Sequence, residues 1–311
     1  MELWLLYATG AAVFAALTTI LAKIGIKDVD SHLATAIRTM VVLVFAWIMV
    51  VIVGSYGGIV YIRGTTWVFL VLSGLATGFS WLCFFRALQL GDVGKVVPID
   101  KSSTIMTMLL AFIILQEPVG LITVVGMSLM GIGTWLMLEI RKNTPTTKEK
   151  NSQNPKKFSR RHLLHSLRNS SIFYALLGAV FASLVAIFGK IGIADIDPTL
   201  WTAMRTVIVV PLAWVMVFAG SRKKPVNGLF QSVTRKSWMF LVLSGVATGA
   251  SWLFFYHALQ LGPASHVVPI DKLSIVLTMG FARLILGERF SKQSIFGLGL
   301  LTIGTLLPVF L

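Results

Sequence analysis

The sequence predicts an all-α integral membrane protein, with ten transmembrane helices arranged as two inverted-topology five-helix repeats. Composition, the spacing of the apolar runs and an internal duplication carry that reading. Of the 311 residues, 56% are hydrophobic and only 13% charged, and mean hydropathy is +0.84, whereas a soluble domain carries about a quarter charged residues. A soluble fold has no interior large enough for that much apolar surface. Crossing a hydrocarbon core about 30 Å thick takes about 20 apolar residues per helix, so the chain has room for ten spans and short loops.

Polar or turn-forming breaks divide the apolar runs. The first span, near 3–23, follows Met1-Glu2-Leu3-Trp4, which lacks the positive n-region and cleavage site of a signal peptide, so the span is expected to be retained. The second, 31–53, starts after Asp30-Ser31; the third, 67–90, holds the longest duplicated stretch. The fourth, 94–115, contains Pro98, which frees backbone carbonyls and suggests a hinge; the fifth is 119–139. After a linker come spans near 172–190 and 198–219, the latter with Asp197 as cap and Pro198 at its first helical position. Spans at 238–261, 263–286 (starting at Gly262-Pro263 and containing Pro269) and 293–310 complete the set. Cys83, alone within a span, forms no intrachain disulfide and indicates no metal site.

The duplication is explicit. Trp67–Gly91 reads WVFLVLSGLATGFSWLCFFRALQLG and Trp238–Gly262 reads WMFLVLSGVATGASWLFFYHALQLG, with about three quarters of positions identical, far above chance. AKIGI at 22–26 matches GKIGI at 189–193, Ala36–Thr39 matches Ala203–Thr206, VVPIDK occurs at 96–101 and 267–272, and Gly131–Thr134 matches Thr302–Thr305. The units are therefore 1–140 and 172–311, joined by a basic polar linker, 141–171. Five is an odd number of spans, so the second copy enters the membrane from the opposite side. Secondary transporters use such inverted repeats, exchanging the conformations of two related halves to expose a site to each side in turn.

Loop charge orients the bundle. The formal net charge of +15 is concentrated in the linker, which is polar enough to be mostly disordered, and in the loop with Arg222, Lys223, Lys224, Arg235 and Lys236. Lys27, Lys95, Arg289 and Lys292 fall on that same side, against little beyond Arg63 and Lys190 on the other. The positive-inside rule makes the linker side cytoplasmic and puts both termini outside. The same rule explains the charge without nucleic acid.

Ionisable groups within spans cost roughly 2.5–3.5 kcal/mol each on insertion scales and face a cavity or a partner. Counting about 1.5 Å per residue from the helix starts puts Arg38, Arg205, Asp100, Lys101, Asp271 and Lys272 about 12–15 Å deep. Arg38 and Asp100 enter from one face, Arg205 and Asp271 from the other, so each pair is expected to come within salt-bridge reach in at least one state, leaving Lys101 and Lys272 to attract an anionic group. Asp100, Ser103 and Thr107, mirrored by Asp271, Ser274 and Thr278, stand at i, i+3 and i+7 and line one helix face. Ser73-Thr77-Ser80 and Ser244-Thr248-Ser251 form similar stripes that either line a path or glue helices, while Gly74-xxx-Gly78 and Gly245-xxx-Gly249 suit packing. Trp81 and Trp252 lie inside their spans as candidate cavity residues, with core packing as the alternative. Arg86 matches His257 just inside the span ends; a lone histidine without a visible partner is more often structural. Lys23 and Lys190 suit snorkelling, and Glu117 and Glu288 suit helix-end contacts. HExxH, Walker A, GxSxG and dinucleotide motifs do not occur, so no enzyme, cofactor or metal is expected.

These motifs resemble the drug/metabolite transporter superfamily, in particular its EamA-type five-helix units. The resemblance rests on SGLATGFSWLCFFRALQLG and SGVATGASWLFFYHALQLG, the following VVPID, and the LQE and LGE endings at Leu115–Glu117 and Leu286–Glu288. It implies a central cavity lined mainly by spans three, four, eight and nine and their neighbours, for substrates that range over amino acids, sugars, nucleotides and drugs. Such proteins usually have cytoplasmic termini, contrary to the loop charge here. The leading expectation is a secondary active transporter of a small polar metabolite, anionic or zwitterionic, working by alternating access in the plasma or cytoplasmic membrane. A lipid or polyprenyl-phosphate flippase, or a non-transporting membrane partner, is the alternative. The expected partners are a small-molecule substrate and the lipid bilayer, with a homodimer left open. Cysteines placed in Lys156–Arg161 and Arg222–Lys236 should resist an impermeant thiol reagent in intact cells and react after permeabilisation; labelling of both loops in intact cells would reverse the orientation.

Overall fold

The computed structural model describes residues 3–26, 29–90, 99, 102–118, 120–139, 170–220, 233–287 and 290–310. The linker, the basic loop at 221–232, and Lys27, Lys95, Pro98, Asp100, Lys101, Glu288 and Arg289 lie outside the described residues. The helices are α1 (Leu3–Gly25), α2 (Ser31–Val53), α3 (Gly64–Leu90), α4 (Ser103–Ile114), α5 (Leu121–Glu139), α6 (Ser171–Gly192), α7 (Pro198–Gly220), α8 (Arg235–Leu261), α9 (Ala264–Lys272), α10 (Ser274–Leu286) and α11 (Lys292–Phe310). Among the described residues, seven helices are long and apolar enough to cross a membrane. The shorter α4 and α5 occupy the fourth and fifth spans, and α9 and α10 together make the ninth. This is an all-α membrane protein built from two repeats.

Helix starts follow the local chemistry. The Asp30 carboxylate accepts from the His32 and Leu33 amides at 2.9 and 3.2 Å, and Asp197 does the same for Thr199 and Leu200 at 2.9 and 3.0 Å, satisfying amides that a helix start leaves unpaired. The ninth span is interrupted at Leu273, one turn beyond Pro269. The Leu273 amide there bonds to the Ile270 carbonyl, tightening the chain into a turn.

The repeats interlock instead of standing side by side: α1 packs on α8, α3 on α6, α2 on α7 and α5 on α11. The serine stripes hold these pairs together. Ser80 and Ser73 hydroxyls donate to the Gly178 and Val185 carbonyls on α6; their duplicates Ser251 and Ser244 donate to Ala11 and Thr18 on α1. A buried hydroxyl needs a partner, and each finds one across the repeat boundary. Gly74 and Gly78 pack against Ile208 and Leu212 of α7, and Gly245 and Gly249 against Val41 and Phe45 of α2, which is the small-residue packing expected of them.

Chain direction puts both termini at one end of the bundle. The larger apolar cluster sits at this end, around Trp4, Leu70, Ile193, Trp201, Leu259 and Val267, and a smaller one around Leu33, Ile37, Met216 and Leu241 sits at the linker end. Between α5 and α11 the backbones touch: a Cβ on Gly133 would lie 2.6 Å from the Gly297 oxygen, and one on Gly304 2.6 Å from the Gly126 oxygen. Gly133→Val should therefore lower stability by about 1–3 kcal/mol through overpacking, while Gly299→Ala, with nothing within 4 Å of the new carbon, should leave thermal unfolding in detergent unchanged.

Candidate functional site

Arg205 enters the site from the second turn of α7, a position set by the Asp197 cap. Its side chain is 3% exposed and reaches across to α3 of the other repeat, where Nε donates to Ser73 Oγ at 3.2 Å and Nη2 to Thr77 Oγ1 at 2.6 Å. The guanidinium carbon lies 4.8 Å from the Trp252 ring centroid and 5.3 Å from that of Tyr256, within range of attraction to the negative faces of both rings. Nε and Nη2 share one edge of the planar group. Nη1 is buried without a hydrogen-bond partner. An unmade hydrogen bond on a buried charged group is costly, so this nitrogen is a donor that a water or a ligand group could satisfy.

Arg38 repeats the arrangement with the repeats exchanged. It projects from α2 to α8, where Nη2 donates at 2.9 Å to Thr248 Oγ1, the duplicate of Thr77. Its Nε is buried without a partner. Asp271, instead of bridging Arg205, lies 3.4 Å from Lys272 on its own helix. The expected Arg205–Asp271 pair is thus not formed. Equal depth fixes a level in the bundle and says nothing about direction around it, and the interlocking brings the hydroxyls of the other repeat closer. The partner expected for Arg38, Asp100, is outside the described residues.

Two adjoining cavities contain these groups. One, of about 240 Å³, is lined by Arg205, Ser103, Thr107, Tyr256 and others; the second, of about 410 Å³, by Arg38, Thr248, Trp81, Ser274 and others. Ala15, Ser251, Trp252, Asp271 and Lys272 line both. Thr278, Arg86 and His257 line neither. His257 Nδ1 lies 2.8 Å from the Leu253 carbonyl one turn back, and its ring stacks on Tyr7 with centroids 5.1 Å apart, a packing role.

At the terminus end, polar groups tie the halves together. Lys190 does not snorkel: its Nζ donates to the Leu259 and Gly262 carbonyls at 2.7 and 2.6 Å. Glu117 accepts from the Ala264 and Ser265 amides at 2.7 and 2.9 Å, capping α9 in the helix-end role expected of it. Gln260 donates to the Ile193 and Ile196 carbonyls. Sequence reasoning missed Tyr256, Thr248 and Gln260 as partners, although Thr248 stood at the duplicated position of Thr77.

Interlocked inverted repeats around buried arginines define a polytopic membrane protein of the transporter class. The EamA-like transporter family matches residues 2–139 and 169–310, and the chain belongs to that family. It is 42% identical over 136 residues to a Sinorhizobium sp. protein described as "Uncharacterized transporter in cobO 3'region", a match covering 43% of this chain and 93% of that protein. A solved protein titled "Crystal structure of protein" shares the fold with TM-score 0.70 at 14% identity, over 97% of this chain and 94% of the other.

If Thr77 holds Arg205 as described, a double-mutant cycle with Thr77→Val and Arg205→Met, read by unfolding in detergent, should give a coupling energy of about 1–3 kcal/mol. Additive effects would mean that the 2.6 Å contact contributes nothing.

Proposed function

We propose that this EamA-family transporter is a secondary active carrier of a small anionic or zwitterionic metabolite in the cytoplasmic or plasma membrane, working by alternating access. One observation carries the reading: Arg205, buried and lining a cavity of about 240 Å³, keeps one guanidinium nitrogen without a partner. Its Nε and Nη2 protons toward α3 are engaged, and the edge that remains, between Nη1 and Nη2, presents two parallel N–H groups suited to bidentate binding of a carboxylate or phosphate. The cationic group of a zwitterion would have to displace Lys272 from Asp271 in the same cavity.

Alternating access is supported by the unequal ends. The terminus end joins its larger apolar cluster to the Lys190, Glu117 and Gln260 bonds, and the larger cavity belongs to Arg38, which enters from the linker side. An anion that binds Arg205 shifts the conformational equilibrium by the difference between its contacts in the two states.

The experiment is uptake into proteoliposomes from a pool of labelled carboxylates, phosphates and amino acids. Arg205→Ala should reduce the transported component at least about 100-fold, the scale of losing a charge-assisted bidentate contact. Arg205→Lys should restore part of it by replacing the charge without the fork. Wild-type rates in Arg205→Ala would remove Arg205 from the substrate path.

A further inference from the structure

We propose that the carrier contains two oxyanion subsites, one at Arg205 and one at Arg38, each binding a single carboxylate-like or phosphate-like group; this rests on reading Arg205 as an anion anchor.

The two arginines occupy equivalent positions in the duplication, and so do the threonines that hold them, Thr77 and Thr248. Each has a buried nitrogen without a partner, Nη1 in Arg205 and Nε in Arg38. Each lines its own cavity, of about 240 and 410 Å³, and the boundary between the two is formed by Ser251, Trp252, Asp271 and Lys272.

Charge divides in the same way. Among the described lining residues, Asp271 and Lys272 pair with each other at 3.4 Å, so they cancel and leave one guanidinium uncompensated on either side. Among the described residues, one anion to each compartment would balance the charge. The two guanidinium groups line adjoining cavities that share Ala15, Ser251, Trp252, Asp271 and Lys272, and the number of anions bound separates one anion at each arginine from one shared between them. The boundary supplies the step between them: Lys272 faces both cavities and can release Asp271 to accompany an anionic group from one arginine to the other.

The probe is radiolabelled sulfate, with excess unlabelled acetate as competitor. Its binding to the purified full chain in detergent is measured for wild type, Arg38→Gln, Arg205→Gln and the double variant, with thermal unfolding of each to show that it is folded. Each single variant should retain about half of the wild-type maximum, as expected for one of two sites, and the double variant none. Wild type should bind two sulfates per chain, and so should Arg38→Lys and Arg205→Lys, which keep the charge and lose the planar fork and so weaken one of the two sites. The count therefore stands even where a Gln variant fails to fold, and one sulfate per chain in wild type would overturn the proposal. Loss of all binding in either lysine variant, or in a folded single Gln variant, would establish one shared site and overturn the proposal while leaving the transport reading intact. Equal binding by wild type and the double variant would overturn it as well, because sulfate would then bind elsewhere. Failure of the transport reading is seen separately, as Arg205-independent uptake in proteoliposomes.

Discussion

A guanidinium buried in the middle of a membrane bundle must be satisfied by protein. Hydrocarbon supplies no hydrogen bonds, and an unpaired charge there costs several kcal/mol. Among the described residues, neither repeat supplies hydrogen bonds to its own arginine. Arg205 of the second repeat is held by Ser73 and Thr77 of the first, and Arg38 of the first by Thr248 of the second. The interlocking of α3 with α6 and of α1 with α8 brings those hydroxyls within reach, so packing and charge solvation depend on the same cross-repeat arrangement. The incomplete solvation, one buried nitrogen without a partner in each case among the described residues, marks where the fold gives up stability and where the proposed substrate would find its contact.

That shortfall changes how the acidic residues are to be understood. A carboxylate on Arg205 would complete its shell and leave little affinity for a substrate anion. Asp271 is instead occupied by Lys272, which neutralises the lysine and leaves the arginine available. Stacking on Trp252 and Tyr256 offsets part of the desolvation without using N–H donors. The guanidinium is therefore oriented and partly stabilised, and its donor edge stays free.

Much of the fold was legible from residues alone. Apolar run length gave the spans, the repeated SG-ATG-SWL-F stretch gave the duplication, and Asp30 and Asp197 marked two helix starts that the structure reproduces. The site was legible only in part. Arg38 and Arg205 were recognisable because depth can be counted along a helix, but their partners depend on the direction each side chain takes around the bundle, and apolar membrane helices carry little periodic polarity to report it. Lys190 misled for a related reason: a lysine near a span end looks able to reach headgroups, whereas here the unpaired carbonyls at the end of α8 lie closer. The Leu273 break was anticipated near Pro269 and falls one turn later, where Leu273 bonds to Ile270.

The residues that tie the terminus end have duplicates. In sequence, Lys190, Gln260 and Glu117 are the duplicates of Lys23, Gln89 and Glu288. The chain thus encodes the same three side chains twice, once in each repeat. Under the alternating access proposed above, a duplicate set of side chains able to make bonds of equal chemistry would let one end open while the other closes at little net cost in free energy. A gap that small is within the range that a bound ligand can shift. On that proposal an inverted duplication supplies more than symmetry of shape: it repeats in sequence the residues whose bonds close one end of the bundle.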